Sequence, residues 1–362
     1  MNTSEELLLR ACTGEVVPGS ASDWQSVADL AQRHEVAPQI AVALRLASDS
    51  ALSSGSQLGV PAHVQHTLSS LLELTLEEHR RSTSELIAVS QVLGDFDILV
   101  LKGPVLAERL YEKGSRSYHD LDLGVRASDY GAVRERLVAN GYRPPSSVDE
   151  RHQQSAARDA SFQPPPGTEM SRSVEVHWQL GGPLPEMLDE NGIWDRACTL
   201  MVDEYPVRTP SAMDTLLLLV LNLRQHRFRR LKTLCDIDRL LRIQGGSIDW
   251  LLLHRQAHDA GLCVALRHAL HLAETALESP MPPLPPCHRR RTIQGWCLKQ
   301  VATREAMLRT STGVQSIVNG ALPILSLDGA GRNGRLVISR LSSPRARSIS
   351  LEPQANPVEG FE

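Results

Sequence analysis

The sequence lacks the features that would assign it to a zinc-binding, redox or membrane class. Its six cysteines include no Cys-x-x-Cys pair, so neither a zinc ribbon nor a redox motif is indicated. The strongest apolar stretch, residues 216–223, is far shorter than the ~20 residues that span a bilayer. Residues 1–6 are acidic and lack the basic start of a secretory signal peptide. We therefore expect a cytoplasmic protein without a membrane partner.

A large net charge is also missing. The formal charge of −4 gives no general reason to expect a nucleic-acid partner. The exception is the segment 329–362, which is rich in Gly, Ser and Pro and has arginines but no acid between residues 329 and 351. We predict that this basic tail is disordered. It either holds RNA or an acidic partner through salt-sensitive contacts, or it is simply solvated.

Length and patterning predict an α+β chain with several segments. Its 362 residues are long for one domain and contain enough apolar side chains for more than one core. Apolar residues recur at helical spacing on both sides of a central block of short alternating runs, which predicts a small mixed sheet flanked by helical segments. The predicted segments are an N-terminal helical segment at 1–94, a mixed core at 95–210, a helical domain at 211–286, a helical extension at 287–328 and the tail.

Residues 144–167 interrupt this pattern with several prolines and glutamines. Such a segment is typical of an exposed, partly mobile insertion. Beside an active site it would cover a substrate, or else it is a surface loop without a role.

Two carboxylates one residue apart are the most informative feature of the sequence. Asp120 and Asp122 lie in Tyr-His-Asp-Leu-Asp-Leu-Gly-Val, whose alternation predicts a strand. In a strand, residues i and i+2 project to the same side, so both acids face one way and the leucines face the core. Such a pair can hold two divalent cations ~3.5–4 Å apart for phosphoryl transfer, and oxygen ligands suit Mg²⁺ rather than zinc. The alternative is an ordinary solvated strand face.

Upstream, an apolar run of strand length ends at Lys102-Gly103-Pro104. Gly103 permits a close backbone approach, and Pro104 suits the first turn of a helix. A lysine before a helix N-terminus can form a phosphate-binding site with it, because the free N–H groups and the helix dipole favour an anion. The spacing is not that of a Walker loop, and an ordinary strand-to-helix turn would explain the same residues.

A third acid follows in a second alternating segment, residues 173–178. Alternation places the two valines and the tryptophan on the core face, and Glu175 and His177 on the other face. If this strand neighbours the acidic strand, Glu175 joins the two aspartates. Three clustered acids repel one another, and metal binding is the simplest relief. Glu175 is also a candidate base for an acceptor hydroxyl, while His177 either enters the pocket or makes a structural hydrogen bond.

Two polar patterns in the C-terminal half do not support a second site. Asp236 and Asp238 repeat the spacing of the acidic pair, but on a helix residues i and i+2 diverge by about 200°. We therefore predict that they do not form another metal site. His226 shares a helix face with Asn222, and we interpret it as a hydrogen-bonded histidine between domains without a catalytic role.

The order of these motifs resembles a known family. It is similar to the bacterial family described as uncharacterised nucleotidyltransferases, within the DNA polymerase beta-like nucleotidyltransferase superfamily. The resemblance covers roughly residues 20–275 and is carried by Leu-Lys-Gly at 101–103, Tyr111, Arg116, the acidic strand, Asn-Gly-Tyr at 140–142, Glu-Val-His-Trp at 175–178 and the segments 222–226, 235–241 and 249–250.

The resemblance implies that Asp120, Asp122 and Glu175 are the catalytic residues and bind Mg²⁺. It also implies a nucleotidyltransferase sheet at 95–210.

The resemblance further implies that an NTP is the co-substrate. Lys102 and Gly103 fall where the superfamily's Gly-Ser turn meets the triphosphate. Arg116, in the loop that leads to the acidic strand, is implied as a third nucleotide-binding residue. One departure is that Pro104 replaces the superfamily's serine. A hydroxyl contact to phosphate is therefore missing, and Lys102 is the residue that would compensate.

These expectations combine into a Mg²⁺-dependent nucleotidyltransferase. An acceptor hydroxyl, deprotonated with help from Glu175, attacks the α-phosphorus of the NTP in line and pyrophosphate leaves. The acceptor stays open between a small molecule, a peptide, a protein and RNA. The alternatives are a nucleotide- or partner-binding protein that keeps the fold without turnover, and an antitoxin-like nucleotidyltransferase that modifies a partner protein.

Overall fold

Helices precede and follow a small sheet, which confirms the predicted α+β class. This order is seen in a computed structural model, which describes residues 3–54, 58–145, 158–168, 170–181, 188–285, 298–299 and 302–308. The predicted tail at 329–362 lies outside the described residues, and so does most of the predicted extension at 287–328.

The N-terminal helices are α1 (Thr3–Cys12), α2 (Ala21–Arg33), α3 (Ala37–Ser54) and α4 (Ala62–Val92). A capping box begins α2, because the Ser20 hydroxyl accepts from the Asp23 N–H and the Asp23 carboxylate accepts from the Ser20 N–H. Helix α4 is 31 residues long and contains most of the apolar repeat at 64–93. Its C-terminal half packs against the sheet.

In the described residues the central sheet consists of β1 (Ile98–Val100), β2 (Asp120–Val125), β3 (Asp159–Phe162) and β4 (Ser173–His177). Its order is β1-β2-β4-β3, with β2 and β4 parallel and the outer pairs antiparallel. Helix α5 (Pro104–Leu110) connects β1 to β2, and α6 (Tyr130–Ala139) follows β2. The register sets Asp122 opposite Glu175, so the strand that carries Glu175 does neighbour the acidic strand.

The two faces of the sheet differ because successive strand residues point to opposite sides. The apolar face carries Leu121, Leu123, Val174, Val176 and Phe162, which are buried with side chains of α4 and α6. Each fully buried side chain of this kind contributes roughly 1.5–3 kcal/mol. Packing on this face holds the strands together and leaves the polar face for chemistry.

Part of the segment predicted as an exposed insertion, 144–167, is a strand, so the prediction was wrong for that part. Residues 159–162 form β3 and pair with β4, and a bridge joins Arg143 to Gln163. The strand was missed because prolines and glutamines flank an alternation of only 4 residues, Asp-Ala-Ser-Phe. Residues 146–157 lie outside the described part of the chain.

A two-stranded sheet and further helices complete the described chain. Strands β5 (Cys198–Val202) and β6 (Tyr205–Thr209) pair antiparallel, and β6 contacts β1. The helices are α7 (Glu190–Asp195), α8 (Ala212–Gln225), α9 (Leu231–Gln244), α10 (Trp250–Asp259), α11 (Cys263–Leu277) and α12 (Arg304–Leu308). Ser211 caps α8 by accepting from the Asp214 N–H at 3.2 Å.

Helices from both ends of the chain share one apolar core. Side chains of α1, α2 and α3, including Trp24, are buried together with side chains of α8, α9 and α11 and with Phe228 between α8 and α9. Because this core joins the two helical parts, both can contribute to the space in front of the polar face of the sheet. Among the described helices, none has both the length and the apolar character needed to cross a membrane.

Candidate active site

A cavity of about 410 Å³ lies against the polar face of the sheet. The strands and the turn after β1 supply one part of its wall, and α8 and the start of α9 supply another. Ligand pockets commonly measure about 300–1,000 Å³. The cavity is therefore large enough for a small-molecule substrate and joins the sheet to the C-terminal helices.

Asp122 is completely buried on β2, beside this cavity. Its Oδ1 lies 2.7 Å from Lys102 Nζ and 3.1 Å from His177 Nε2. The Leu101 N–H donates to the Asp122 main-chain carbonyl at 3.0 Å, which fixes the Lys102 turn beside β2. The lysine and the acid that the sequence places 20 residues apart are therefore in direct contact in the fold.

Asp122, Glu175 and His177 form a group that can hold a metal ion. Each offers one ligand atom, and these atoms lie within 4.8 Å of one another. Oδ2 of Asp122 is buried and has no hydrogen-bond partner among the described residues. An unpartnered buried polar atom costs about 1–3 kcal/mol, and a bound cation would remove that cost. The two carboxylates suit a hard divalent ion such as the expected Mg²⁺, whereas the His177 imidazole would be a metal ligand only in its neutral form.

The charges of this group support one another. Burial alone would raise the pKa of Asp122, but the hydrogen bond from His177 and the Lys102 ammonium hold it well below its usual range. Burial alone would lower the pKa of His177, yet its hydrogen bonds to Asp122 and Glu175 raise it to about 9. Burial likewise opposes the charge of Lys102, and Asp122 raises its pKa. At neutral pH an ionised acid thus lies between two protonated bases.

The turn after β1 packs closely on the start of β2. Gly103 has φ +65° and ψ −112°, a conformation that favours glycine. A Cβ atom there would lie 3.3 Å from the Asp120 carbonyl oxygen and 3.4 Å from the Tyr118 ring. Pro104 occupies the first turn of α5. Lys102 and Gly103 both line the cavity, and their predicted contact with a triphosphate stays a prediction.

Arg116, which was predicted to contact the nucleotide, is buried and held by α9. Its Nε and Nη2 donate to the two carboxylate oxygens of Asp236 at 2.7 and 2.8 Å. The Tyr111 hydroxyl donates to Asp236 Oδ1 at 2.8 Å, and Arg116 Nη1 approaches the Gly103 carbonyl at 3.5 Å. These bonds fasten the loop before β2 to the helix. Arg116 is still a cavity-lining residue, and a nucleotide contact stays a prediction.

Asp120 and His226 lie on the cavity wall near this group. Asp120 is half-buried and is not one of the three residues with closely grouped ligand atoms. The predicted metal-binding set of Asp120, Asp122 and Glu175 thus stays a prediction. His177, rather than Asp120, is the third residue whose ligand atom lies close to those of Asp122 and Glu175. His226 forms the C-cap of α8, and burial, with the charges of two nearby cations, lowers its pKa to about 4.

Two acids of the site were not predicted. Asp159 on β3 lines the cavity and lies 3.7 Å from His177 Nδ1, and burial raises its pKa. Glu35 follows α2 and enters from the N-terminal helices, where its carboxylate lies 2.5 Å from Lys232 Nζ. The short alternation of β3 was a signal for Asp159. No local pattern marks Glu35, because its place depends on how distant helices pack.

Comparison with known proteins agrees with this geometry. The model of a family described as uncharacterised nucleotidyltransferase matches residues 20–278. A search of curated proteins finds no match. The matched range includes the sheet, the cavity wall and α8 to α11, so every candidate site residue lies within it. This confirms the resemblance found in the sequence, and the chain belongs to the uncharacterised nucleotidyltransferase family.

Proposed function

We propose that this chain is a Mg²⁺-dependent enzyme that transfers a nucleoside monophosphate from an NTP to an acceptor hydroxyl and releases pyrophosphate. Its family supports nucleotidyl transfer in general. The observation that carries the proposal is the close group of Asp122, Glu175 and His177 beside a cavity. Within that group, a buried Asp122 oxygen lacks a partner among the described residues.

The acids have distinct proposed roles. Asp120, Asp122 and Glu175 would hold Mg²⁺, which when bound neutralises phosphate charge and polarises the reacting phosphoryl group. Glu175 is partly exposed in the cavity and would accept the proton of the acceptor hydroxyl. His177 lies 3.1 Å from Asp122 Oδ1 and 3.6 Å from Glu175 Oε2, and it would orient both carboxylates.

Lys102, Gly103 and Arg116 would position the triphosphate. The Lys102 side chain is 35% exposed, so its ammonium can contact a phosphate while it remains near Asp122. Gly103 has no side chain and lets a phosphate approach the main chain. Arg116 would contact the triphosphate from the same wall of the cavity. Its ion pair with Asp236 of α9 keeps the loop before β2 in place.

Calorimetry with each NTP, with and without Mg²⁺, tests the proposal. We expect at least one NTP to bind the wild type only with Mg²⁺. Asp122→Asn and Glu175→Gln should each weaken this binding by about tenfold or more, which is roughly 1.4 kcal/mol. The control is Asp95→Asn, because Asp95 is an exposed acid outside the cavity, paired with Arg136 at 3.1 Å. It should leave binding unchanged.

Circular dichroism of every variant separates loss of binding from loss of folding. Asp120→Asn, measured in parallel, decides whether Asp120 belongs to the metal site, since a ligand's removal must weaken the Mg²⁺ dependence. A folded wild type that binds no NTP would contradict the proposal. So would NTP binding that neither Asp122→Asn nor Glu175→Gln affects.

A further inference from the structure

The cavity has an acidic part and a basic part. Its acids come mainly from the strands, whereas Arg230 and Lys232 line it from the start of α9. His226, at the end of α8, lies in the electrostatic field of both Arg230 and Lys102. Basic groups therefore continue from Lys102, which contacts Asp122, to the α9 wall.

Arg230 is the basic residue of this wall with the least neutralised charge. Lys102 is paired with Asp122 and Arg116 with Asp236. The Arg230 side chain is exposed in the cavity and forms no ion pair among the described residues. Arg230 interacts with Glu35 through charge but at a longer range than an ion pair, so its guanidinium N–H groups are available to an anionic ligand.

Lys232 adds a second cation on the first turn of the same helix. In the described part of the chain its ammonium contacts one acid, Glu35 at 2.5 Å, and burial lowers the pKa of Lys232. An ammonium has three N–H donors, so a contact with Glu35 leaves two for another acceptor. Arg230 is the N-cap of α9, and among the described residues no side chain caps that helix, so its first N–H groups add to the positive field.

We propose that Arg230 and Lys232 bind the terminal phosphates of the NTP, an inference that rests on the proposed function. The α-phosphate would lie at Asp122 and Glu175, and the phosphate chain would follow the basic groups of the wall to α9. A planar guanidinium and a neighbouring ammonium suit a polyanion, because one forms paired hydrogen bonds and the other acts as a compact charge.

Glu35 orients Lys232 and also competes with phosphate for it. Its backbone has φ +58°, a conformation that is uncommon for a residue with a side chain. This places an acid at the wall where the other groups are basic. The negative charge of Glu35 opposes a polyanion nearby, so its removal should favour phosphate binding.

The test is calorimetric titration of the full chain, in Mg²⁺, with inorganic tripolyphosphate, the NTPs and the matching NMPs. Arg230→Gln and Lys232→Gln should each weaken tripolyphosphate and NTP binding by about tenfold, the usual size of one charge-assisted contact. NMP binding should change by less than about twofold, since an NMP has no terminal phosphates. Glu35→Gln should strengthen tripolyphosphate binding by about threefold.

The matched control is Arg45→Gln, because Arg45 lies on α3 in an exposed pair with Glu112, outside the cavity. It should leave all three ligands unaffected. Equal weakening for NMP and NTP would overturn the proposal, and so would an unchanged NTP affinity in Arg230→Gln. The latter result would assign the basic wall to an anionic acceptor.

Tripolyphosphate contains no nucleoside, so it separates this inference from the proposed function. If the wild type binds no NTP but binds tripolyphosphate through Arg230, the proposed function fails and the phosphate subsite stands. If NTP binding requires Asp122 but not Arg230 or Lys232, the proposed function stands and the subsite fails. If the wild type binds neither ligand, both fail.

Discussion

The acidic pair of β2 and the pair Asp236 and Asp238 of α9 have the same spacing on different backbones. On the strand, both acids are on the side of the sheet that faces the cavity. On the helix, positions i and i+2 diverge by about 200°, and each acid finds its own partner. Asp236 pairs with Arg116, whereas Asp238 lies 2.8 Å from Arg242 and accepts from Ser279.

The two pairs also differ in how completely their oxygens are bonded. Both oxygens of Asp236 accept hydrogen bonds from Arg116, and one also accepts from Tyr111. Oδ2 of Asp122 has no partner among the described residues. Asp236 and Asp238 each bind a different partner, and the prediction that they form no second metal site stays a prediction. The fully bonded Asp236 thus joins the loop before β2 to α9, whereas Asp122 keeps one buried oxygen that a ligand would be able to contact.

The largest expected effect comes from removing the charge of Asp236, the acid of α9 that pairs with Arg116. Asp236→Asn leaves the buried Arg116 guanidinium without a counter-charge, which should lower the free energy of unfolding by about 3–5 kcal/mol. Urea denaturation measures this loss, which should be the same with and without Mg²⁺.

The double variant Arg116→Met/Asp236→Leu is the matched control for that prediction. It removes both charges and should recover much of the lost stability, because no buried charge is then left unpaired. A loss below about 1 kcal/mol for Asp236→Asn would show that the pair does not hold the loop to the helix.

The next largest effect concerns Asp122, the acid of β2, and the gain in stability on binding Mg²⁺. A cation that binds only the folded state should raise the stability of the wild type, by about 2.7 kcal/mol at a Mg²⁺ concentration 100-fold above Kd. Thermal unfolding with and without Mg²⁺ measures the gain. Asp122→Asn should abolish it, whereas Asp238→Asn should lower the starting stability and keep the gain. If Mg²⁺ stabilised Asp122→Asn and Asp238→Asn equally, the acidic pair of β2 would not differ from that of α9 in metal binding.

The smallest effect extends the comparison to histidines. His177 has acidic partners, whereas His268 is buried and packs its ring on Phe228 at 4.8 Å, and burial lowers the pKa of His268 to about 3. The unfolded chain, with a histidine pKa of about 6.5, binds the proton more readily. The stability is therefore complete above about pH 6.5 and falls as the pH drops towards 3.

The protonation of His268 in the unfolded chain should lower the free energy of unfolding by about 1–2 kcal/mol between pH 7 and pH 5. Urea denaturation at both pH values, with His268→Leu beside the wild type, measures the share due to this histidine. The variant should lose less stability on acidification. An equal loss in both proteins would mean that His268 does not set the acid sensitivity.

The features predicted from the sequence are those that a local pattern encodes. Alternation on β2 and β4 indicated that Asp122 and Glu175 point away from the apolar core, and their strands are indeed neighbours. Gly103 and Pro104 marked the turn into α5 for the same reason, since their conformational limits act within a few residues.

Partners distant in the chain could not be predicted. Arg116 and Asp236 are 120 residues apart, and Glu35 and Lys232 are 197 residues apart. Periodicity indicates which face a side chain occupies, but not which element packs on that face. His177 illustrates the limit: its face was predicted, while its bond to Asp122 depends on the parallel register of β2 and β4.

The fastening of the loop before β2 to α9 also has a consequence for the order of folding. During synthesis β2 leaves the ribosome before β4, and α9 emerges later still. Domains commonly fold from the N-terminus as they emerge, but contacts between distant segments must wait for both partners. The cavity is therefore completed after the sheet has paired. A nascent chain that ends before α9 would also leave the apolar core that α9 shares with the N-terminal helices incomplete, so we expect chaperones to bind the apolar side chains that such chains expose.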